Sequence, residues 1–158
     1  MRYHCQIVLK QSSAADIVNK RTISMGEWES KNHSKYLLQY HLIFVCKYRK
    51  KLLSSNSISN DIKTLSEEIC IRHNVNIRYM ETDKDHIHYM FETEPNVNLS
   101  DIVRTMKSYT TYHIWRKYRN YLFKCFWKEY TFWTDGYFIC SVGNVSEKML
   151  KEYIENQG

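Results

Sequence analysis

The sequence predicts an α+β domain, an antiparallel sheet with helices packed on one face. Three observations carry this. Apolar residues alternate at period two in several short runs. Longer runs instead repeat apolar residues every three or four positions. The order of the runs is strand, helix, strand, strand, helix, strand, strand, helix, which suits one sheet layer and one helix layer.

The first strand reads from Leu38 to Lys47, with Leu38, Tyr40, Leu42, Phe44 and Cys46 on one face. A basic patch follows at once: Lys47, Tyr48, Arg49, Lys50 and Lys51. Residues 57–73 read as a helix, because Ile58, Ile62, Leu65 and Ile69 form one stripe and Ser57 suits an N-cap. Val75 to Glu81 and His86 to Thr93 read as strands joined through the polar turn Thr82 to Asp85, hence a hairpin. Asn98 or Ser100 suits the cap of a second helix, Asp101 to Tyr118, with Ile102, Val103, Met106 and Ile114 facing inward. Asp135-Gly136 between Thr131–Trp133 and Tyr137–Val142 signals a further hairpin. Gly143 breaks the chain, and Ser146 suits the cap of a last helix ending near Gln157. Residues 1–27 lack a sustained period and are read as an N-terminal extension, leaving 28–158 as the folded domain.

Composition narrows the function classes. Of 158 residues, 43% are apolar and 25% charged, an ordinary globular balance rather than a disordered one. The net charge of +6 fits a nucleic-acid partner, through counterion release from phosphates, and equally a solvated basic surface. No apolar run reaches membrane-spanning length, and the start of the chain is not a signal peptide. Cys5, Cys46, Cys70, Cys125 and Cys140 contain no Cys-x-x-Cys pair, so neither a zinc ribbon nor a redox dithiol is supported. Reduced thiols in a cytoplasmic protein are the simplest reading.

Two short patterns carry chemistry. His86 and His88 lie two apart on a strand, so they share a face while Ile87 joins Tyr89 and Phe91 on the other. Imidazoles roughly 6–7 Å apart along a strand can converge on one cation. The same pair also suits the polar face of a half-buried strand, and a third ligand must come from elsewhere. In the last helix Tyr153 and Gln157 are four apart and therefore stacked on one face. A phenol oxygen beside an amide oxygen suits attack on phosphorus next to a metal; it also suits an amphipathic helix with a solvated terminal amide. A third feature is basic: Arg104 and Lys107 share a face of the second helix, followed by Arg116, Lys117 and Arg119. Tyr48, Tyr109, Tyr112 and Trp115 interleave aromatic rings suited to stacking on unpaired bases. Tyr48, Arg49, Lys50, Lys51, Arg104 and Lys107 are the candidate DNA contacts. His41 reads as structural on a central strand, and His73 and His113 as surface or core-edge groups.

The run METDKDHIH (Met80 to His88) resembles the His–apolar–His motif of the single-tyrosine HUH transposases of small bacterial insertion sequences, the TnpA-like family. KEYIENQ (Lys151 to Gln157) resembles their nucleophile helix, and FWTDGYF (Phe132 to Phe138) with SVG (Ser141 to Gly143) the segment before it. YHLIFVCKYR (Tyr40 to Arg49) resembles their first strand. The four motifs fall in order, and the resemblance covers about residues 28 to 157.

The resemblance implies a ferredoxin-like sandwich whose C-terminal helix carries the nucleophile. It makes Tyr153 that nucleophile, and His86, His88 and Gln157 the ligands of a divalent metal, Mg²⁺ or Mn²⁺. It further implies a homodimer with a joined sheet, in which the last helix of one subunit can complete its partner's site and Gly143 is the hinge. The expected partner is single-stranded DNA with hairpins at the element's ends, cut through a 5′-phosphotyrosine. Lys84 and Lys151 are candidates to assist loss of the tyrosine proton. Other readings are a different HUH nuclease of replication-initiator or relaxase type, and a non-catalytic or decayed ferredoxin-like binder of single-stranded nucleic acid.

Overall fold

The computed structural model describes residues 29–31, 34–127 and 129–141. The expectations for the extension, the Gly143 hinge, Ser146, Lys151, Tyr153 and Gln157 lie outside the described residues. The elements in chain order are β1 (Glu29–Lys31), β2 (Ser34–Tyr36), β3 (Leu38–Val45), α1 (Asn56–Arg72), β4 (Val75–Thr82), β5 (His86–Thr93), α2 (Leu99–Phe126) and β6 (Phe138–Ser141). β1 and β2 form a small antiparallel pair. The other four strands form one antiparallel sheet in the order β4-β5-β3-β6, with β3 and β5 central. This is the expected α+β arrangement.

Strand alternation divides the sheet into two faces. Leu42 and Phe44 of β3 and Ile87, Tyr89 and Phe91 of β5 point toward the helices and meet Ile58, Ile62 and Ile69 of α1 and Ile102, Val103, Met106 and Ile114 of α2. A polar tip in this layer is satisfied: the fully buried Tyr89 hydroxyl lies 3.0 Å from Ser66 Oγ, which donates to the Ile62 carbonyl. Ile43 and Val45 point to the opposite face, are also buried, and lie outside this cluster.

Several boundaries differ from the sequence reading; β3, for one, ends at Val45 rather than Lys47, because residues 47–49 turn into a 3₁₀ helix. α1 starts at Asn56 with Ser55, not Ser57, as its N-cap. The buried Leu52 and Leu53 anchor a 3₁₀ turn that delivers the chain into the helix earlier. α2 is capped by Asn98, whose side chain accepts from the amides of Ser100 and Asp101. It does not stop at Tyr118 but kinks there (φ −115°, ψ 27°) and runs on to Phe126. The kink is pinned to α1, because Tyr118 Oη donates to Asp61 at 2.7 Å and Lys117 pairs with the same carboxylate. Beyond it Leu122 and Phe126 are buried, which supports the extra turns.

The hairpin expected around Asp135-Gly136 does not form. β6 pairs with β3 rather than with residues 131–133, and Trp133 makes only an isolated bridge to Cys46. Lys107 explains the loop's course, since its ammonium donates to the carbonyls of Thr134 (2.6 Å), Asp135 (3.0 Å) and Gly136 (2.8 Å). Three acceptors held by one cation draw this segment onto α2 and both flanks onto β3.

Candidate metal and nucleic-acid site

The face of the sheet away from the helices gathers the polar chemistry. Cross-strand register places Val45 opposite His86, Ile43 opposite His88 and His41 opposite Met90. The two predicted histidines therefore share this face, and both are half-buried. His41, read from sequence as merely structural, lies on it too. Its Nδ1 is 2.8 Å from His88 Nε2, and the two rings stack with centroids 5.0 Å apart. The signal was available: if Leu42, Phe44 and Cys46 face the core, His41 must face the other way, toward the histidines of a neighbouring strand.

Asp85 orients His86. The Asp85 carboxylate is buried; Oδ1 lies 3.0 Å from His86 Nδ1 and Oδ2 accepts from Arg49 Nε at 2.7 Å. A carboxylate only accepts, so His86 presents Nδ1–H to it, and the tautomer that this bond selects carries its lone pair on Nε2. Burial works against the Asp85 charge, but the His86 and Arg49 hydrogen bonds outweigh it and hold the carboxyl below its ordinary value. Engaged by His86 through one oxygen and by Arg49 through the other, Asp85 positions the His86 ring.

Burial, reinforced by the neighbouring His41 and His86, pushes the His88 pKa down to about 4, so this ring is neutral near pH 7. Between His41 and His88 one nitrogen must donate and the other accept. If His88 Nε2–H donates, His88 keeps a lone pair on Nδ1 for a cation. If His41 donates, neither nitrogen of His88 has one to offer. Neutral imidazoles with an oriented partner fit a divalent cation, as half of a site. Among the described residues no group of three or more His, Cys, Asp and Glu side chains is arranged to hold a metal. A third ligand must come from outside them or from an amide.

Two more groups face His88 from β4, and the sequence reading missed both. Glu81 pairs with His88 across the strands, and Tyr79 meets the His88 ring edge-on at 6.1 Å. Tyr79 donates to Glu81. Burial and this carboxylate push the Tyr79 phenol up to about 12. A tyrosine near the histidines is thus held firmly protonated.

The basic candidates divide. Lys47, Tyr48 and Arg49 form a 3₁₀ turn directly after β3, in which Tyr48 (φ 58°) and Arg49 (φ 51°) adopt left-handed backbone. That conformation costs side-chain-bearing residues energy, and here Asp85 holds Arg49 and Glu129 accepts from Tyr48 Oη. Lys51 is exposed, while Lys50 lies over the Phe126 ring at 5.7 Å. Arg104 is exposed and pairs with Asp101. Lys107 is half-buried under the 134–136 loop. Arg104 and Lys107 border one 590 Å³ surface cavity, as their spacing predicts. Trp115 cannot offer an open stacking face, because it is 4% exposed and its indole N–H donates to the Thr131 carbonyl. Lys84, a candidate proton acceptor, is exposed in the β4–β5 turn.

The described cysteines Cys46, Cys70, Cys125 and Cys140 are free thiols. Among the described residues no helix is long and apolar enough to cross a membrane.

Comparison with known proteins bears on the family and the fold. The chain is 26% identical over 133 residues to the transposase of insertion sequence element IS200 from Salmonella typhimurium, covering 84% of this chain and 85% of that one. It is 26% identical over 122 residues to the ISDra2 transposase TnpA of Deinococcus radiodurans, covering 77% and 85%. A crystal structure from Deinococcus radiodurans, described as a candidate transposase, superposes with a TM-score of 0.74 at 22% identity, over 82% of this chain and 97% of that one, and so shares the fold. Residues 34–157 match the family described as "Transposase IS200 like", and the chain belongs to these IS200-like transposases, enzymes that cut DNA and join strands.

Proposed function

We propose that this chain cleaves and rejoins single-stranded DNA at the ends of an insertion sequence, with Tyr153 as nucleophile and a divalent metal held by His86, His88 and Gln157. The observation that carries this reading is the pair His86 and His88 on one sheet face, with Asp85 leaving His86 Nε2 free to ligate. Family membership supplies the class of reaction.

Held by His86, His88 and Gln157, Mg²⁺ or Mn²⁺ would stabilise the negative charge that develops on the phosphate. Two imidazoles and one amide add no negative charge, so that pull is undiminished by the ligands. The Tyr153 oxygen gives up its proton and attacks phosphorus, the bond from phosphorus to the 3′ oxygen breaks, and that oxygen takes up a proton. The products are a 5′-phosphotyrosine and a free 3′-hydroxyl. Attack by a 3′-hydroxyl on a phosphotyrosine reverses the chemistry and joins strands. The covalent intermediate conserves the bond energy, so no nucleotide triphosphate is consumed. Tyr153 is preferred over Tyr79 because the Tyr79 phenol is pushed up to about 12 beside Glu81.

DNA contact is assigned to Tyr48, Arg49, Lys50 and Lys51 after β3 and to Arg104 on α2, with Lys107 contributing through the loop that it holds. One nucleophile per subunit suits a homodimer, since excision cuts two ends. Hairpins at those ends are the proposed recognition elements.

The test is cleavage of single-stranded DNA bearing a terminal hairpin, with Mg²⁺ or Mn²⁺. His88→Ala is expected to abolish cleavage while hairpin binding persists. Cleavage retained in His88→Ala contradicts the ligand assignment; hairpin binding without cleavage by the wild-type chain under both metals favours the non-catalytic binder.

A further inference from the structure

We infer that the C-terminal end of α2 carries a stacking pocket for an unpaired nucleobase of single-stranded DNA, with Arg116 and Arg119 taking the adjoining phosphates. This rests on the single-strand reading above and adds to it a contact outside the histidine face. A 380 Å³ cavity there is lined by Trp115, Phe123, Trp127 and Tyr130 together with Arg116 and Arg119. Trp115 is the fixed floor: it is buried, anchored by its indole N–H to Thr131, and stacked on Tyr130 at 4.8 Å and 29°. Above that floor Phe123, Tyr130 and Trp127 are 53%, 59% and 75% exposed.

Trp127 is the telling residue. An indole this exposed forgoes the burial that large apolar side chains normally gain. Its backbone, at φ 50° and ψ −112°, lies where residues bearing a Cβ are disfavoured. Two unfavourable features at one residue, beside two exposed arginines, suit a ligand with a flat π face and a negative charge. A nucleotide has both. Arg116 also lies over the Tyr112 ring at 5.7 Å, so this guanidinium already rests against one aromatic face.

The pocket is joined to the histidine face. Glu129 also lines it, and both oxygens of that carboxylate accept from the Tyr48 hydroxyl at 3.0 Å. Tyr48 belongs to the basic turn, Arg49 of the same turn holds Asp85, and Asp85 orients His86. A strand with one base stacked at Trp127 therefore crosses the basic turn on its way to the histidines.

The test uses the full chain and a fluorescent oligothymidylate without a hairpin, followed by anisotropy at several salt concentrations. Trp127→Gly removes the ring and relieves the positive φ. It is expected to weaken binding about 5- to 160-fold, the span of one lost stacking contact, while the melting temperature holds or rises. Arg116→Ala with Arg119→Ala is expected to flatten the salt dependence. A thymine carrying 5-iodine in the same oligonucleotide should photocrosslink within residues 115–130. Unchanged affinity in Trp127→Gly overturns the pocket, as do crosslinks confined to other segments or a wild-type chain that does not bind the oligonucleotide. Phosphotyrosine adducts without any Trp127 dependence sink the pocket alone. Trp127-dependent binding of this oligonucleotide, with no adduct on hairpin-bearing single-stranded DNA and Mn²⁺, sinks the cleavage reading alone.

Discussion

His41 Nδ1 and His88 Nε2 lie 2.8 Å apart on the sheet face opposite the helices, so one ring must donate to the other. Both rings are also made harder to protonate by burial, His88 down to about 4. An unfolded histidine binds its proton near pH 6.5, before folded His88 does. The unfolded state therefore carries more protons between pH 6.5 and 4, and stability falls as pH drops through that window. Urea unfolding of the metal-free protein at stepped pH should show this loss. His88→Asn should flatten it; an equally steep loss in that variant would mean that other groups set it.

Asp85 gives a prediction that separates orientation from folding. Asp85→Ala leaves the Arg49 guanidinium and the His86 Nδ1–H without their acceptor, a loss of about 2–3 kcal/mol for hydrogen bonds to a charged group. Asp85→Asn keeps an acceptor and should recover much of that stability. Both should lower Mn²⁺ affinity, by roughly 10- to 100-fold for a lost outer partner. Denaturant melts and Mn²⁺ titration by electron paramagnetic resonance read the two effects. Wild-type Mn²⁺ affinity in Asp85→Ala would remove Asp85 from the site.

Much of this site was legible because strand periodicity is a strong signal. The shared face of His86 and His88 follows from spacing alone, and β5 has the expected bounds, His86–Thr93. The pairing of β5 with β3 did not follow from spacing, and it is this that brings in His41. Glu81 and Tyr79 were hidden for the same reason, since their strand read only as a hairpin partner. The failed hairpin at Asp135-Gly136 shows a local turn signal losing to a tertiary one. A local pattern cannot reveal that Lys107, 27 residues before Thr134, captures three carbonyls of that loop.

Lys107 accordingly acts on stability first. Lys107→Met should cost about 1–3 kcal/mol, the range for leaving hydrogen-bonded carbonyls without their donor. Denaturant unfolding measures this directly. A lysine serving only as a phosphate contact would leave the unfolding midpoint unchanged and alter only the salt dependence of DNA binding.

Tyr79 provides the control for the nucleophile. Its phenol is held protonated beside Glu81, so Tyr79→Phe should still form protein–DNA adducts. Their loss in a folded Tyr79→Phe chain would move the nucleophile to β4.

The central claim is covalent chemistry at Tyr153, and denaturing gel electrophoresis after incubation with labelled hairpin-bearing single-stranded DNA and Mn²⁺ tests it most directly. The wild-type chain is expected to give a denaturant-resistant adduct joined through the 5′-phosphate, and Tyr153→Phe none. An adduct of undiminished yield in Tyr153→Phe would contradict it.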